Sequence, residues 1–181
     1  GVNTLWDRRY GFMNKALTSP ISRSSIALGK MSAISLIAAL QASLIIGIAL
    51  AIGVRFPNPI MIAPIMVIVI LFSLGFSGIS VMIAATAKSQ ETFWGMINFL
   101  GMPLFMLSPA LFPLELLPNW LAVIAKLNPV TYTILLVREL MTGVSEGGIP
   151  ILLSLGVLIA FVLVMIGLAS YVFTREVNKP F

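Results

Sequence analysis

The chain has 181 residues, of which 59% are hydrophobic and only 9% are charged, whereas about 25% of the residues in a soluble domain are charged. It contains no cysteine and no histidine, which excludes disulfides, thiolate chemistry, His-ligated metals and mechanisms that need an imidazole base. The net charge is +5, but most charges lie beside the ends of apolar segments, which argues against a nucleic-acid partner and for a lipid bilayer as the solvent.

The first predicted element is a short, basic, amphipathic helix within a cytoplasmic segment at residues 1–30. Thr4-Leu5-Trp6-Asp7 fits a capping box, which begins a helix by satisfying its free amides. We expect this helix to end near Thr18, because Pro20 disfavours helical backbone in the residue before it. Such a helix serves either as an anchor to lipid headgroups or as a docking element for a soluble partner, and composition does not choose between them.

Four charge-free apolar stretches follow, each long enough for a membrane helix of about 20 residues. We place the four spans of a transmembrane domain (residues 31–181) at about residues 31–54, 60–87, 92–112 and 149–173. Two prolines lie inside spans, at Pro64 and Pro103, which membrane helices tolerate better than soluble ones. The sequence therefore predicts an all-α membrane protein.

An outer segment at about residues 113–146 separates the third and fourth spans. Its prolines divide an apolar stretch into pieces too short to cross a membrane: Pro113, Pro118 and Pro129. Non-helical backbone at membrane depth persists only where it is buried in protein or lines a cavity, so we expect a re-entrant helical hairpin. The alternative is a fifth, interrupted crossing at residues 120–137.

The basic residues are distributed asymmetrically about the four spans. One side carries eight of them: Arg8, Arg9, Lys15, Arg23, Lys30, Lys88, Arg175 and Lys179. The other side carries Arg55, Lys126 and Arg138. The positive-inside rule makes the first side cytoplasmic, with both termini inside and the outer segment outside. Arg138 is then expected at the outer interface, paired with Glu139 or Glu146.

Several small or polar residues lie within the spans. On the first span a small residue recurs every four positions: Ser35, Ala39, Ser43, Gly47 and Ala51. This stripe either allows close helix packing or widens a substrate path. Gln41 and Asn98 are amides at membrane depth, suited to interhelical hydrogen bonds or to substrate contact. We therefore take Gln41, Ser43, Gly47 and Asn98 as candidates for a pathway or for packing.

The chain has no evident energy source or catalytic group of its own. The spans hold no deep charged residue that could relay protons. Gly29-Lys30 is followed by Met31, so no phosphate-binding loop is present. Gly75-Phe76-Ser77-Gly78 resembles the serine motif of rhomboid proteases, whose serine needs a histidine that this chain lacks. We expect no catalytic, cofactor or metal site. A non-transporting membrane anchor or assembly subunit stays open as an alternative to a transporter.

Two groups of segments resemble those of ABC-2-type permeases, in particular drug-resistance permeases of the daunorubicin-exporter type. The first group resembles the cytoplasmic loop of that family: Asp7-Arg8-Arg9-Tyr10-Gly11, Leu17-Thr18-Ser19-Pro20-Ile21-Ser22-Arg23 and Gly29-Lys30. The second resembles its outer segment: Ser108-Pro109, Phe112-Pro113, Leu117-Pro118, Asn128-Pro129-Val130-Thr131-Tyr132 and Arg138. The fragments occur in the family's order and cover nearly the whole chain.

The resemblance implies a permease half of six helices, of which this chain supplies the C-terminal four, the first two being absent. It implies ABC ATPase subunits that hold ATP and Mg²⁺, a second permease copy, and a place in the plasma membrane. The residues that it assigns to a coupling helix and its turn, which would meet the ATPase, are Asp7, Arg8, Arg9, Gly11, Pro20 and Arg23. The residues that it assigns to a re-entrant outer gate are Pro113, Leu117, Pro118, Asn128, Pro129 and Tyr132. The implied activity is export of a drug, lipid-like or glycan substrate.

Overall fold

The protein is described by a computed structural model that covers residues 22–54, 58–111, 113–144 and 148–177. These residues form α-helices and short 3₁₀ turns and contain no strand. We number the helices in chain order: α1 (Arg23–Ala51), α2 (Ile62–Thr86), α3 (Gln90–Met106), α4 (Asn119–Leu127), α5 (Pro129–Thr142) and α6 (Ile151–Val177). The 3₁₀ turns are Pro59–Met61 and Leu114–Leu116.

Three helical segments of the described part are long and apolar enough to cross a bilayer: Ser24–Ala51, Pro59–Thr86 and Ile151–Glu176. The pair α4 and α5 meets the same test only if taken together, and it is bent by 90° at the break between them. The predicted fold class, an all-α membrane protein, is confirmed. The third predicted span corresponds to α3, which has 17 residues and ends at Met106 rather than near residue 112.

Local capping explains where these helices begin and end. The side chains of Ser22 and Ser89 accept hydrogen bonds from backbone amides in the first turns of α1 and α3, at 3.2 and 3.1 Å. Asn128 caps α5 in the same way, with Pro129 at the first helical position, where its missing N–H costs nothing. Gly143 ends α5 with φ at 72°, a left-handed conformation that glycine adopts without a steric penalty.

One end of the bundle is formed by the start of α1 and the ends of α2 and α6. Their buried residues make one cluster: Ala27, Met31, Val81, Ala85, Ala169 and Phe173. The start of α3 joins this end, because Phe93 packs against Ile83 and Ala84 of α2 and against Ala87, which follows that helix. We call it the basic end, since Arg23, Lys30, Lys88 and Arg175 lie along it. The clusters show that α2 runs antiparallel to α1 and parallel to α6.

The opposite end, which we call the proline end, is formed by the starts of α2 and α6 together with α5. Its buried residues are Ile68 of α2, Leu136 of α5, and Leu158 and Val162 of α6. The helix α5 therefore covers the starts of α2 and α6, and α2 lies at the centre of the bundle.

Two glycines of α2 allow α6 to approach closely. A Cβ atom at Gly78 would lie 3.0 Å from the backbone oxygen of Met165, and one at Gly75 would lie 2.7 Å from the ring of Phe161. Ser77 between them is buried, and its hydroxyl donates to the Leu74 carbonyl at 2.7 Å. The Gly75–Gly78 sequence thus serves helix packing, as small residues do in membrane interfaces.

We expect the substitution Gly78→Leu to destabilise the bundle by about 1–3 kcal/mol, because the new side chain meets the α6 backbone and forces the helices apart. The matched control is Gly156→Leu in α6, where a Cβ meets nothing within 4 Å. Unfolding of both variants in mixed detergent micelles measures the effect. Equal stability of the two variants would contradict the close approach of α2 and α6.

Candidate functional site

The outer segment is a helical hairpin whose breaks fall at its prolines. Pro113 precedes the 3₁₀ turn Leu114–Leu116, Leu117 follows that turn, and Pro118 precedes α4. Pro129 is the first residue of α5. Each proline thus lies where a helix begins, so the chain reverses direction without leaving a helix interior short of a hydrogen bond.

The hairpin has its own small core and its own polar contacts. Leu114, Ala125, Leu135 and Ile149 are buried against one another, with Tyr132 and Leu117 packed beside them. The fully buried Thr131 donates its hydroxyl to the Ala125 carbonyl at 2.7 Å. The Tyr132 hydroxyl donates to the Lys126 carbonyl at 2.7 Å. These bonds satisfy the carbonyls at the end of α4 and so fix the bend between α4 and α5.

Two side chains attach the hairpin to the end of α3. Asn128 is buried, and its Nδ2 donates to the Leu104 carbonyl at 2.6 Å while its Oδ1 accepts from the Val130 amide at 3.0 Å. Arg138 donates through Nη2 to the Pro109 carbonyl at 2.7 Å. We call Asn128, Arg138 and the two carbonyls that they bond the polar clasp.

The polar clasp places the end of α3 at the proline end, whereas Phe93 places its start at the basic end. The helix therefore runs from one end of the bundle to the other, a distance of about 25 Å at 1.5 Å per residue. Because α6 ends at the basic end, it begins at the proline end. The chain thus leaves α3 and enters α6 at the same end, and the hairpin between them returns to the side from which it started.

The intramembrane candidates do not gather into one site. Gln41, Ser43, Gly47 and Asn98 are all exposed on the described bundle. Ser43 donates to the Ala39 carbonyl of its own helix at 2.8 Å, and a Cβ at Gly47 would meet nothing within 4 Å.

The small-residue stripe of α1 divides into a packed half and an open half. Ser35 and Ala39 are buried, and the Ser35 hydroxyl lies 2.7 Å from that of Ser73 and 2.9 Å from the Ile70 carbonyl of α2. An open groove of about 230 Å³ lies along this contact, lined by Ser32, Ser35, Leu36, Ala39, Ile70 and Leu74. The packed half joins α1 to α2, and the remaining positions, Ser43, Gly47 and Ala51, are exposed.

The predicted coupling residues Asp7, Arg8, Arg9, Gly11 and Pro20 lie outside the described residues. Arg23 is the first residue of α1. Among the described residues no group of three or more acidic side chains is arranged to hold a metal ion.

Sequence reasoning did not find the partners of the polar clasp. The Leu104 carbonyl carries no side-chain signal, and Asn128 follows it by 24 residues. Pro109 is the sequence feature that indicates such a contact. A proline after a membrane helix stops the helix and leaves backbone carbonyls that need hydrogen-bond donors. Ser73 and Gly78 were also missed as contacts, since the facing helices are far away in the chain.

The arrangement is that of a polytopic membrane subunit: an antiparallel bundle with a hairpin that returns at one end and a basic opposite end. The sequence profile described as "ABC-2 type transporter" matches residues 1–142. The chain belongs to the ABC-2 type transporter family. That family comprises transporter membrane subunits, in agreement with the prediction that the chain is not itself an enzyme.

Relatives carry permease names. The chain is 31% identical over 137 residues to the transport permease ycf38 of Cyanophora paradoxa, covering 75% of this chain and 47% of that protein. It is 28% identical over 180 residues to ycf38 of Porphyra purpurea, covering 95% and 62%. It is 27% identical over 130 residues to the multidrug ABC transporter permease YbhR of Escherichia coli K12, covering 70% and 34%. The chain spans about half the length of the curated relatives it matches. No solved structure matches it.

We expect Thr131→Val to lower the free energy of unfolding by about 1 kcal/mol, because it removes a buried donor while keeping the shape of the side chain. The loss stays modest since the Ala125 carbonyl also accepts from the Asn128 amide at 3.1 Å. The control is Thr86→Val, which changes an exposed hydroxyl at the end of α2. Unfolding in mixed micelles compares the two, and a larger loss for the control would contradict this account of the bend.

Proposed function

We propose that the chain is the membrane-spanning permease subunit of an ATP-driven ABC-2-type exporter, and that a separate ATPase subunit supplies the energy. The observation that carries the proposal is the match of the family profile over residues 1–142, which includes both the basic N-terminal segment and the hairpin. The permease names of the relatives agree with it.

The orientation that we propose puts the basic end in the cytoplasm of the cell and the proline end outside, in the plasma membrane. Among the described residues, Arg23, Lys30, Lys88 and Arg175 belong to the basic end, and Lys126 and Arg138 belong to the proline end. The excess of basic residues at one end supports this orientation. Both termini are then cytoplasmic and the hairpin is a re-entrant external gate.

The ATPase contact that we propose involves the N-terminal segment with Asp7, Arg8, Arg9 and Gly11, followed by the turn at Pro20 and Arg23. This segment leads directly into α1 at the basic end. A helix joined rigidly to a membrane helix transmits a rigid-body motion when a nucleotide-bound ATPase dimer closes. ATP and Mg²⁺ would be held by the ATPase, since this chain has no phosphate-binding loop.

A second permease copy would cover surfaces that this chain leaves open. Asn98 is exposed in the middle of α3, between the exposed Trp94 and Met102. An amide at membrane depth costs free energy unless it is paired, so a further helix or the cargo is needed there. The exposed Ser43 and Gly47 of α1 offer a second surface of small residues.

The cargo that we propose is a hydrophobic drug or a lipid-like molecule, with a glycan as the other class that the family suggests. The exposed faces of α1 and α3 are apolar and offer few groups for specific polar recognition. One relative is named as a multidrug ABC transporter permease, which supports drug efflux as the activity.

We expect the double substitution Arg8→Glu with Arg9→Glu to abolish co-purification of the ATPase and ATP-dependent export, because it reverses the charge of the proposed docking helix. The matched control is Lys88→Glu with Arg175→Glu, which reverses two charges elsewhere at the basic end. Pull-down of the ATPase and export into vesicles measure both effects. Full ATPase binding by the variant with both arginines replaced would contradict the proposal that this segment contacts the ATPase.

We also expect single cysteines at Lys88 and Glu146 to react with an impermeant maleimide from opposite faces of the membrane. Lys88 lies between α2 and α3 at the basic end. Glu146 comes in the sequence after Thr142, where α5 ends, and before Ile151, where α6 begins. The native chain has no cysteine, so each label reports one position. Labelling of the Glu146→Cys variant from the cytoplasmic face alone would reverse the proposed orientation.

A further inference from the structure

The polar clasp joins two parts of the chain that otherwise have separate cores. The hairpin packs on the starts of α2 and α6 through α5, and α3 packs on the end of α2 through Phe93. The middle of α3 is largely exposed, including Met96, Asn98 and Phe99. The described contacts of α3 therefore lie in its first half, at Phe93 and Ile97, and at its far end, which is held by Asn128 and Arg138.

The polar clasp supplies hydrogen-bond donors to two backbone carbonyls that the end of α3 leaves without a backbone partner. The helix α3 ends at Met106, and the Ser108 amide turns back to the Phe105 carbonyl at 3.2 Å, so it does not reach Leu104. Pro109 has no amide hydrogen to contribute. The Leu104 and Pro109 carbonyls are instead bonded by Asn128 and Arg138, beside the buried side chains of Ser108 and Pro109.

We propose that Asn128 and Arg138 are positioning residues that couple the hairpin, which packs on α2 and α6, to the position of α3. A displacement of α3 at the basic end is then transmitted along the helix, over about 25 Å, to the polar clasp and through it to the hairpin. Asn128 suits this role because the same amide group bonds α3 through Nδ2 and begins α5 through Oδ1. The consequence for transport rests on the proposed exporter function, whereas the attachment itself does not.

The test uses Ser108→Cys as a reporter, because Ser108 is 2% exposed beside the clasp and the chain has no other cysteine. Asn128→Asp is the sharpest change, since the carboxylate still accepts from the Val130 amide but cannot donate to the Leu104 carbonyl. The matched control is Asn119→Asp, the same chemical change at an exposed amide at the start of α4.

The measurement is the rate of reaction with membrane-permeant N-ethylmaleimide in vesicles that carry the full chain, relative to Leu116→Cys, an exposed position of the hairpin. A permeant reagent makes the result independent of orientation. We expect Asn128→Asp to raise the relative rate about tenfold, because one buried hydrogen bond is lost and repulsion replaces it, and we expect Asn119→Asp to leave the rate unchanged. An unchanged rate in Asn128→Asp overturns the proposal.

A second variant keeps the test valid if Asn128→Asp does not fold. Arg138→Met keeps the apolar stem and removes the donor to the Pro109 carbonyl, and we expect the same rise in labelling. ATP-dependent export by the complex provides the transport readout. Faster labelling with unchanged export overturns the role in transport, while absent export in the parent chain counts against the exporter function and leaves the clasp to be judged by labelling.

Discussion

The structure depends on one constraint, which is that a bilayer offers no water to bond the backbone polar groups at the end of a helix. The long helices α1, α2 and α6 satisfy most of their backbone groups internally and place their ends near the two faces of the bundle. The backbone polar groups at the end of α3 are not satisfied in this way, because the chain turns at Ser108 and Pro109, both fully buried. Side chains from the hairpin supply the missing donors, so the same bonds that satisfy α3 also locate the hairpin.

The contacts between the long helices follow from a second property of the bilayer. Because lipid tails are as apolar as the side chains, there is no hydrophobic driving force between helices. Helices must then associate through close packing and hydrogen bonds. Gly75 and Gly78 let α2 approach α6, and the hydroxyls of Ser35 and Ser73 join α1 to α2. The centre of the bundle is accordingly built around α2, whose small residues face α1 and α6.

The sequence predicted what depends on local chemistry and failed where distant segments meet. Hydropathy located the three long helices, and the prolines located the breaks before α4 and α5, because both signals belong to the residues concerned. The end of α3 came earlier than predicted, at Met106, since the apolar run continues after the helix has stopped. The partner of Asn128 could not be predicted, because a backbone carbonyl 24 residues earlier has no signature in the sequence.

The helices of the bundle are packed unequally. The helices α2 and α6 meet at glycines with almost no space between them. The helix α3 packs on α2 near Phe93 and Ile97, and its far end is held by the bonds from Asn128 and Arg138 to the Leu104 and Pro109 carbonyls. The hairpin that carries these two side chains packs in turn on the starts of α2 and α6. The position of α3 is thus set near both of its ends by contacts that lead back to α2.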